Sequence, residues 1–412
     1  MFPLKYLREN AEKIKEGIRR KGEDVDIDKI LELDEKRREI IPELEGLQHK
    51  RKEKNKEIGR VKKEGGDIQP IIEEVRELSE RIEKLEQERK KIEGEIERLL
   101  MWVPNTPHSS VPDEPVVVKE WGEPEEKELD HLTIAAMHNL LDFERGAKVA
   151  GSHFPLYVGP GARLERALVN FMLDLHAERH GYTEVFPPFL VREECMFGTG
   201  QLPKLRDDMY LIEVDNLFLN PTAEVPVTNM HREEVIDARK LPIKYVAYTA
   251  CFRREAGSYG KETRGLQRVH QFNKVELVKI THPDTSYDEL ETLLQDAEEV
   301  LQLLGLPYRV VLLPAHDLSF ASAKTYDIEV WAPGSKKYLE VSSASNFEAF
   351  QARRMRMKYN DGKKTDYVHT LNASGIATPR TMIALLEHYE HDGVIEIPEV
   401  LRKYMGGIER IE

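Results

Sequence analysis

The sequence predicts an α+β chain in two parts. An N-terminal antiparallel helical coiled-coil hairpin is followed by a domain built on a mainly antiparallel sheet flanked by helices. Three observations predict it. Apolar residues recur at alternating 4- and 3-residue steps through residues 28–101. A run rich in Pro, Ser and Asn breaks that pattern from Pro104 onward. Beyond it, β-rich runs follow one another with few helices between them, as in an antiparallel sheet. The expected division is a helical domain at 1–103, a linker at 104–120 and a second domain at 121–412.

Each element has its own signal. Leu4, Leu7, Ala11, Ile14 and Ile18 form one face of a short amphipathic helix over 4–21. A first seam runs through Leu33, Arg37, Ile40, Leu44, Leu47, Arg51, Lys54, Ile58 and Val61, and a second through Ile71, Val75, Leu78, Ile82, Leu85, Arg89, Ile92, Ile96 and Leu99. Gly65-Gly66-Asp67 marks a turn between them, and Pro70 falls in the first turn of the second helix, where proline is tolerated. Two helices of similar length joined by a tight turn fold back antiparallel. At 1.5 Å per residue the hairpin spans roughly 50 Å. Pro42 should kink or break the first helix. Arg51 and Lys54 sit on the seam near the tip, where their stems can pack while their charges reach water. Further helices are expected at 129–150, 161–181, 284–305 and 378–391. Strands are expected at 184–191, 209–219, 245–254, 271–279, 308–313, 325–331 and 337–342.

Composition narrows the class. In 412 residues, 33% are charged and only 8% aromatic, which fits a long exposed helical segment joined to an ordinary core. Cys195 and Cys251 are too few for a disulfide framework or a four-cysteine zinc site. They read as free thiols in a reducing cytosol, so a cytoplasmic location and no zinc are expected. No run approaches the roughly 18 apolar residues of a membrane span. Met1-Phe2-Pro3-Leu4-Lys5 lacks the apolar run of a signal peptide. A net charge of −14 argues against a protein coated for non-specific nucleic-acid binding.

That average hides a local excess. The first 100 residues hold 26 Lys and Arg against 27 Asp and Glu, while Lys50, Arg51, Lys52, Lys54, Lys56, Arg60, Lys62 and Lys63 cluster beside the turn, opposed only by Glu53 and Glu57. A charge run on a helix is usually just a solvated face. This one is strongly one-sided and sits at the end of a lever, which suits contact with a phosphate backbone. No G-x-G-x-x-G and no P-loop pattern occurs.

The sharpest local pattern is Phe252-Arg253-Arg254-Glu255, then a loop through Gly257, Gly260 and Gly265, then Arg268-Val269-His270-Gln271-Phe272. An arginine at a strand end offers a planar fork to a phosphate. A glycine-rich loop can close over a polyanion, and Phe272 could stack on a base. The bland alternative is a hairpin with surface arginines.

This pattern resembles motif 2 of the class II aminoacyl-tRNA synthetases. Gly181-Tyr182-Thr183-Glu184-Val185-Phe186-Pro187-Pro188-Phe189-Leu190 resembles motif 1, and Gly375-Ile376-Ala377-Thr378-Pro379-Arg380 through Glu387 resembles motif 3. Within the class, Phe197–Pro203, Asn220–Pro226, Gln271–Glu276, Glu340–Ser343, Asn346–Arg354 and Pro398–Gly407 are similar to seryl-tRNA synthetases. The likeness spans essentially the whole chain.

The resemblance implies ATP-dependent activation of L-serine to seryl-adenylate and transfer of the seryl group to tRNA(Ser), with tRNA(Sec) as a second candidate. It implies a homodimer, with ATP as substrate, Mg²⁺ as its cation, and the hairpin gripping tRNA. Arg253, Arg268 and Arg380 would be catalytic. ATP would meet Arg253, Arg254, Glu255, Arg268, Val269, Phe272, Glu340, Val341, Ser342, Ser343 and Arg380, with Phe272 and Arg380 sandwiching adenine. Glu340 and Ser343 would hold Mg²⁺. Serine would meet Thr222, Ala223, Glu224, Arg253, Glu276, Asn372 and Ser374.

Arg254, His316-Asp317-Leu318-Ser319 and Ala373 depart from the family's usual residues, yet none removes a group the chemistry needs. Two other readings remain at this point. A synthetase-like enzyme that loads a carrier protein would lack the hairpin. A non-catalytic paralogue would lose the motif arginines.

Overall fold

The computed structural model describes residues 1–256 and 264–412, so Gly257 and Gly260 lie outside the described residues. The chain forms two compact units, Met1–Pro104 and Asn105–Glu412.

In the first unit α1 (Leu4–Glu9) and α2 (Ala11–Arg20) precede two long helices, α3 (Ile27–Lys63) and α4 (Gln69–Leu100). The side chain of Asp26 caps α3 by accepting from the Lys29 N–H at 2.8 Å. Gly65 adopts φ +74° in the turn, a conformation that suits glycine. The expected seams pack together, but unevenly. Leu33, Ile40, Leu44, Ile82, Leu85, Ile92 and Ile96 are buried, whereas Leu47, Ile58, Val61, Ile71, Val75 and Leu78 toward the turn are half-buried. Polar ties stitch the outer half: Arg81 to Glu43 at 2.9 Å and Lys54 to Glu74 at 2.7 Å. Pro42 does not interrupt α3. It costs one backbone donor, and because it lies on the exposed side the orphaned carbonyl can be hydrated. At the base, Asp34 is fully buried and bonded by Arg8 and Arg37. Burial would raise its pKa, but those hydrogen bonds outweigh it and hold the carboxyl below the usual range.

The second unit is built on an eight-stranded sheet. Its strands are β1 (Val116–Trp121), β2 (Thr183–Glu184), β3 (Ile243–Phe252), β4 (Gln271–Thr281), β5 (Tyr308–Leu312), β6 (Lys324–Ala332), β7 (Lys337–Asn346) and β8 (His369–Ala377). In space they run β1-β5-β6-β7-β8-β4-β3-β2, antiparallel except for the short β2–β3 pair. Helices Pro160–Asp174, Ser286–Leu303 and Thr378–Tyr389 share one large apolar core with this sheet.

Several expectations change. The strand expected over 209–219 is two short ones, Leu211–Ile212 and Leu217–Leu219, paired in a separate three-stranded sheet. The stretch read as a linker belongs to this unit from Asn105 onward: buried Asn105 donates to the carbonyls of Ala321 and Phe347, and 116–121 forms the edge strand β1. The helix expected over 129–150 is two, His131–Met137 and Phe143–Ala150, because Asn139 turns to φ +53° and Asp142 starts the second by capping Arg145. The expected strand over 184–191 contributes only Thr183–Glu184 and Leu190–Arg192, since Pro187 and Pro188 have no N–H to give. Central strand β8 was not anticipated at all, because Thr370, Asn372, Ser374 and Gly375 hide its β signal. Among the described residues no helix is long and apolar enough to cross a membrane.

Candidate active site

The antiparallel β3–β4 pair sets the site. Its register is regular, with Cys251 opposite Phe272, Thr249 opposite Lys274 and Ala247 opposite Glu276. Phe252 ends β3, so Arg253 leaves the sheet beside the start of β4. The Arg253 N–H donates to the His270 carbonyl at 2.9 Å, its Nε donates to the Pro221 carbonyl at 3.3 Å, and its guanidinium lies 5.3 Å from the centre of the Phe272 ring.

Two cavities open here. The larger, about 510 Å³, is lined by Thr199, Gly200, Gln201, Thr222, Glu224, Phe320, Ser343, Phe347 and Asn372, among others. The smaller, about 110 Å³, is lined by Leu266, Gln267, Val269, Phe272, Val341, Ala377, Pro379 and Arg380. Arg253, Glu255, Arg268, Lys274, Glu340 and Ser374 line both, so these six mark where the cavities meet.

Most cations at and beside this junction are paired with carboxylates. Arg268 Nη1 donates to Glu255 at 2.8 Å, Arg380 Nη1 to the Glu340 carboxylate at 3.2 Å and backbone carbonyl at 2.7 Å, and Lys274 Nζ lies 2.7 Å from Glu276. In the larger cavity Glu224 is buried and accepts from Gln351 Nε2 at 2.6 Å. Burial, and then the charge of Glu276, push its pKa up to about 7, against the opposing effects of Gln351, Lys274 and Arg253. Gln351 also donates to the Thr199 carbonyl and accepts from Thr370, so its amide is fixed. Arg354 pins the neighbouring loop through the carbonyls of Phe197 and Leu202.

At the sheet end, β8 carries a bulge between Ser374 and Ala377, where Ile376 is held at φ +97°. A β-branched residue in that region is strained, and such strain gathers where a site dictates the backbone. On β6, Asp327 faces Ser343 across the sheet. Burial and the Glu340 carboxylate push its pKa up, and its Oδ1 is buried with no hydrogen-bond partner. Among the described residues no cluster of three or more His, Cys, Asp or Glu is arranged to hold a metal.

Most expected residues converge. Thr222, Glu224, Arg253, Glu255, Arg268, Val269, Phe272, Glu340, Val341, Ser343, Asn372, Ser374 and Arg380 all line one or both cavities. Four do not. Ala223 packs with Val227, Ala247 and Val278. Arg254 is exposed, and its N–H donates to the Asp208 carbonyl. The Ser342 hydroxyl donates to the Ser374 carbonyl at 2.6 Å, tying β7 to β8. Glu276, 1% exposed, stands one layer back behind Lys274 and accepts from Asn372 Nδ2 at 2.6 Å. Sequence reasoning assigned no role to Lys274, Gln351 or Asp327. The strand alternation Phe272, Lys274, Glu276 could have flagged the first.

Comparison with known proteins agrees with this arrangement. Residues 1–107 match the seryl-tRNA synthetase N-terminal domain, and 210–389 match the class II tRNA synthetase core domain (G, H, P, S and T). A serine–tRNA ligase of Caldicellulosiruptor bescii is 58% identical, over 98% of this chain and 99% of that protein. The solved seryl-tRNA synthetase of Pyrococcus horikoshii, complexed with ATP, superposes with a TM-score of 0.93 at 36% identity, over 100% of this chain and 99% of that one. The cytoplasmic serine–tRNA ligase of Naegleria fowleri, in complex with AMP, gives a TM-score of 0.88 at 31% identity, over 98% and 96%. The chain belongs to the seryl-tRNA synthetase family of class II aminoacyl-tRNA synthetases.

Proposed function

We propose that the two joined cavities bind L-serine and ATP, form seryl-adenylate, and pass the seryl group to the 3′ end of tRNA(Ser). The observation that carries this reading is the junction itself, where Arg253 and Arg268 stand between the smaller cavity, walled by Arg380, and a larger one holding a buried carboxylate. Adenine enters the smaller cavity, where Phe272 and Arg380 sandwich it next to Glu255 and Val269. Arg253 holds the α-phosphate and Arg268 lies along the triphosphate.

Serine enters the larger cavity beside Thr222, Asn372 and Ser374. Its ammonium meets negative charge from Glu224 on the wall and from Glu276 behind Lys274 and Asn372. The serine carboxylate attacks the α-phosphorus and pyrophosphate leaves. That carboxylate is already ionised at neutral pH, so the step needs no general base, and the residues act by positioning and by offsetting phosphate charge. Mg²⁺ fits beside Glu340 and Ser343, where the orphaned Asp327 Oδ1 leaves acidic oxygen unmatched. When bound, the ion would offset charge on the phosphates.

The helical hairpin grips tRNA through its basic tip. The tip cations that form no ion pair among the described residues, Lys50, Arg51, Lys52, Arg60, Lys62 and Lys63, are best placed for phosphates. Lys54 and Lys56 are paired with Glu74 and Glu53. The reading also includes a homodimer, supported by apolar side chains left exposed in motif 1, Phe186 at 76% and Leu190 at 44%. Sedimentation should show a dimer; a fully active monomer would refute it.

The experiment that tests the function is pyrophosphate exchange into ATP with each of the twenty amino acids in turn. Serine alone should support fast exchange. A site built to hydrogen-bond the hydroxyl should reject alanine by about 10⁴-fold or more. Equal exchange with another amino acid would overturn the assignment.

A further inference from the structure

Successive side chains on a strand alternate faces, so Phe272, Lys274 and Glu276 share one face of β4, about 7 Å apart at each step. The ladder to β3 is unbroken across all three. Phe272 lines the adenine cavity, and Glu276 accepts from Asn372, which lines the serine cavity. Lys274 lies between them, and it is one of the six residues common to both cavities. The reading above gives the other five junction residues roles toward ATP, magnesium or serine and leaves Lys274 with none.

Its setting is built for a fixed charge. Lys274 is 5% exposed, and its Nζ lies 2.7 Å from Glu276 Oε2. Glu276 is oriented in turn by Asn372 Nδ2 on its other oxygen. A lysine so held has lost the freedom of its four-carbon stem, and its cost of ordering is met before substrate arrives.

We propose that Lys274 is a further catalytic residue of the activation step, its ammonium facing the point where the serine carboxylate and the α-phosphate meet. This rests on the proposed function. The carboxylate oxygen forms a new bond to the α-phosphorus. The bond from that phosphorus to the bridging oxygen breaks, and pyrophosphate leaves with the electron pair. No proton moves. Negative charge concentrates on the non-bridging α-oxygens, and Lys274 shares its neutralisation with Arg253. Glu276 then acts as the positioning residue that holds Lys274.

A bland alternative is that Lys274 merely neutralises Glu276 in the core. The two differ in one measurable way. The set is wild type, Lys274→Met, Lys274→Arg, Glu276→Gln, and Lys274→Met with Glu276→Gln, each assayed by serine-dependent pyrophosphate exchange. Lys274→Met should lower kcat about 10²- to 10³-fold, the usual effect of removing one preorganised donor. Its KM for ATP should change little, and Lys274→Arg should recover at least tenfold of the loss. Lys274→Met strands a buried carboxylate, so the double variant, which removes both charges, guards against misfolding. With Gln at 276, removing Lys274 should still cost at least tenfold in kcat relative to Glu276→Gln alone. A double variant as active as Glu276→Gln overturns the proposal, because neutralisation was then all that Lys274 supplied. Wild type without serine-dependent exchange would instead remove the functional reading beneath it.

Discussion

The hairpin tip and the cavity junction are both dense in arginine and lysine, and they treat those charges in opposite ways. At the tip, Lys50, Lys52, Lys56, Arg60, Lys62 and Lys63 are exposed, and most form no ion pair among the described residues. At and beside the junction Arg268, Arg380 and Lys274 are each held by a particular carboxylate, and Arg253 by a carbonyl and an aromatic face. Loose cations in water suit a ligand that is gripped by its field over many phosphates. Fixed cations suit a reaction in which charge appears at one place and must be met there. The two regions should therefore fail differently when altered.

The largest effect is expected at the junction. Arg253→Ala should cut serine-dependent exchange 10²- to 10³-fold, or about 3–4 kcal/mol, while tRNA affinity stays near normal. The mirror experiment replaces residues 45–90 by a short turn: exchange should persist while tRNA charging falls. Loss of exchange in the shortened protein would show that the hairpin supports the chemistry, and unimpaired charging would show that it does not grip tRNA.

A second effect follows from the buried carboxylate. Glu224 has its pKa raised to about 7, first by burial and then by Glu276. Serine's ammonium favours the ionised form. Above about pH 8 Glu224 is ionised in the free protein and serine affinity should be flat. Below pH 7 the carboxyl must lose a proton for serine to bind, and apparent affinity should fall, approaching tenfold per pH unit. Glu224→Gln should weaken binding and flatten that profile. A wild-type profile flat from pH 5.5 to 8.5 would refute this role. The tip, with no buried acid, should show no such break in tRNA binding.

The same contrast explains what the sequence made legible. The hairpin was readable almost to the residue, because its contacts repeat every seven residues along two neighbouring helices. The site is gathered from segments between Thr199 and Arg380, and only the likeness to known motifs said that they meet. That likeness could not show which side chains reach the wall. Ala223 and Ser342 lie within motif segments yet point into packing and a strand tie, and Arg254 points outward. Nor could it show β8, whose polar residues are in a strand because the site needs them there. Gln351 escaped because its work is to hold Glu224, a contact 127 residues away in sequence.

Within the hairpin the gradient of burial makes a smaller prediction. Leu44 is 3% exposed, while Ile58 on the same seam is half-buried. Leu44→Ala should destabilise the hairpin by about 2–5 kcal/mol and Ile58→Ala by about 1 kcal/mol. Amide hydrogen exchange along the two helices would read both. Equal losses would mean that the tip packs as tightly as the base.

The smallest effect separates two lysines that sequence alone could not tell apart. Lys52 is exposed and forms no ion pair among the described residues. Lys54, two positions on, is tied to Glu74 across the hairpin at 2.7 Å and to Glu57 at 3.3 Å. If both met phosphates, removing either charge would flatten the plot of log affinity against log salt by roughly 0.7–0.9. The structure argues that they differ. Lys52→Gln removes a cation that is available to a phosphate, so the slope should flatten by that amount. Lys54→Gln removes one already neutralised by glutamate, so the slope should change less. Affinity should still drop, because Glu74 is left facing the RNA without its partner and repels it at every salt concentration within a Debye length. The measurement is tRNA affinity across a salt series for the two single variants and the parent. Equal flattening by both would show that Lys54 abandons Glu74 on binding, and that the tip rearranges to meet its ligand while the junction holds its cations in place beforehand.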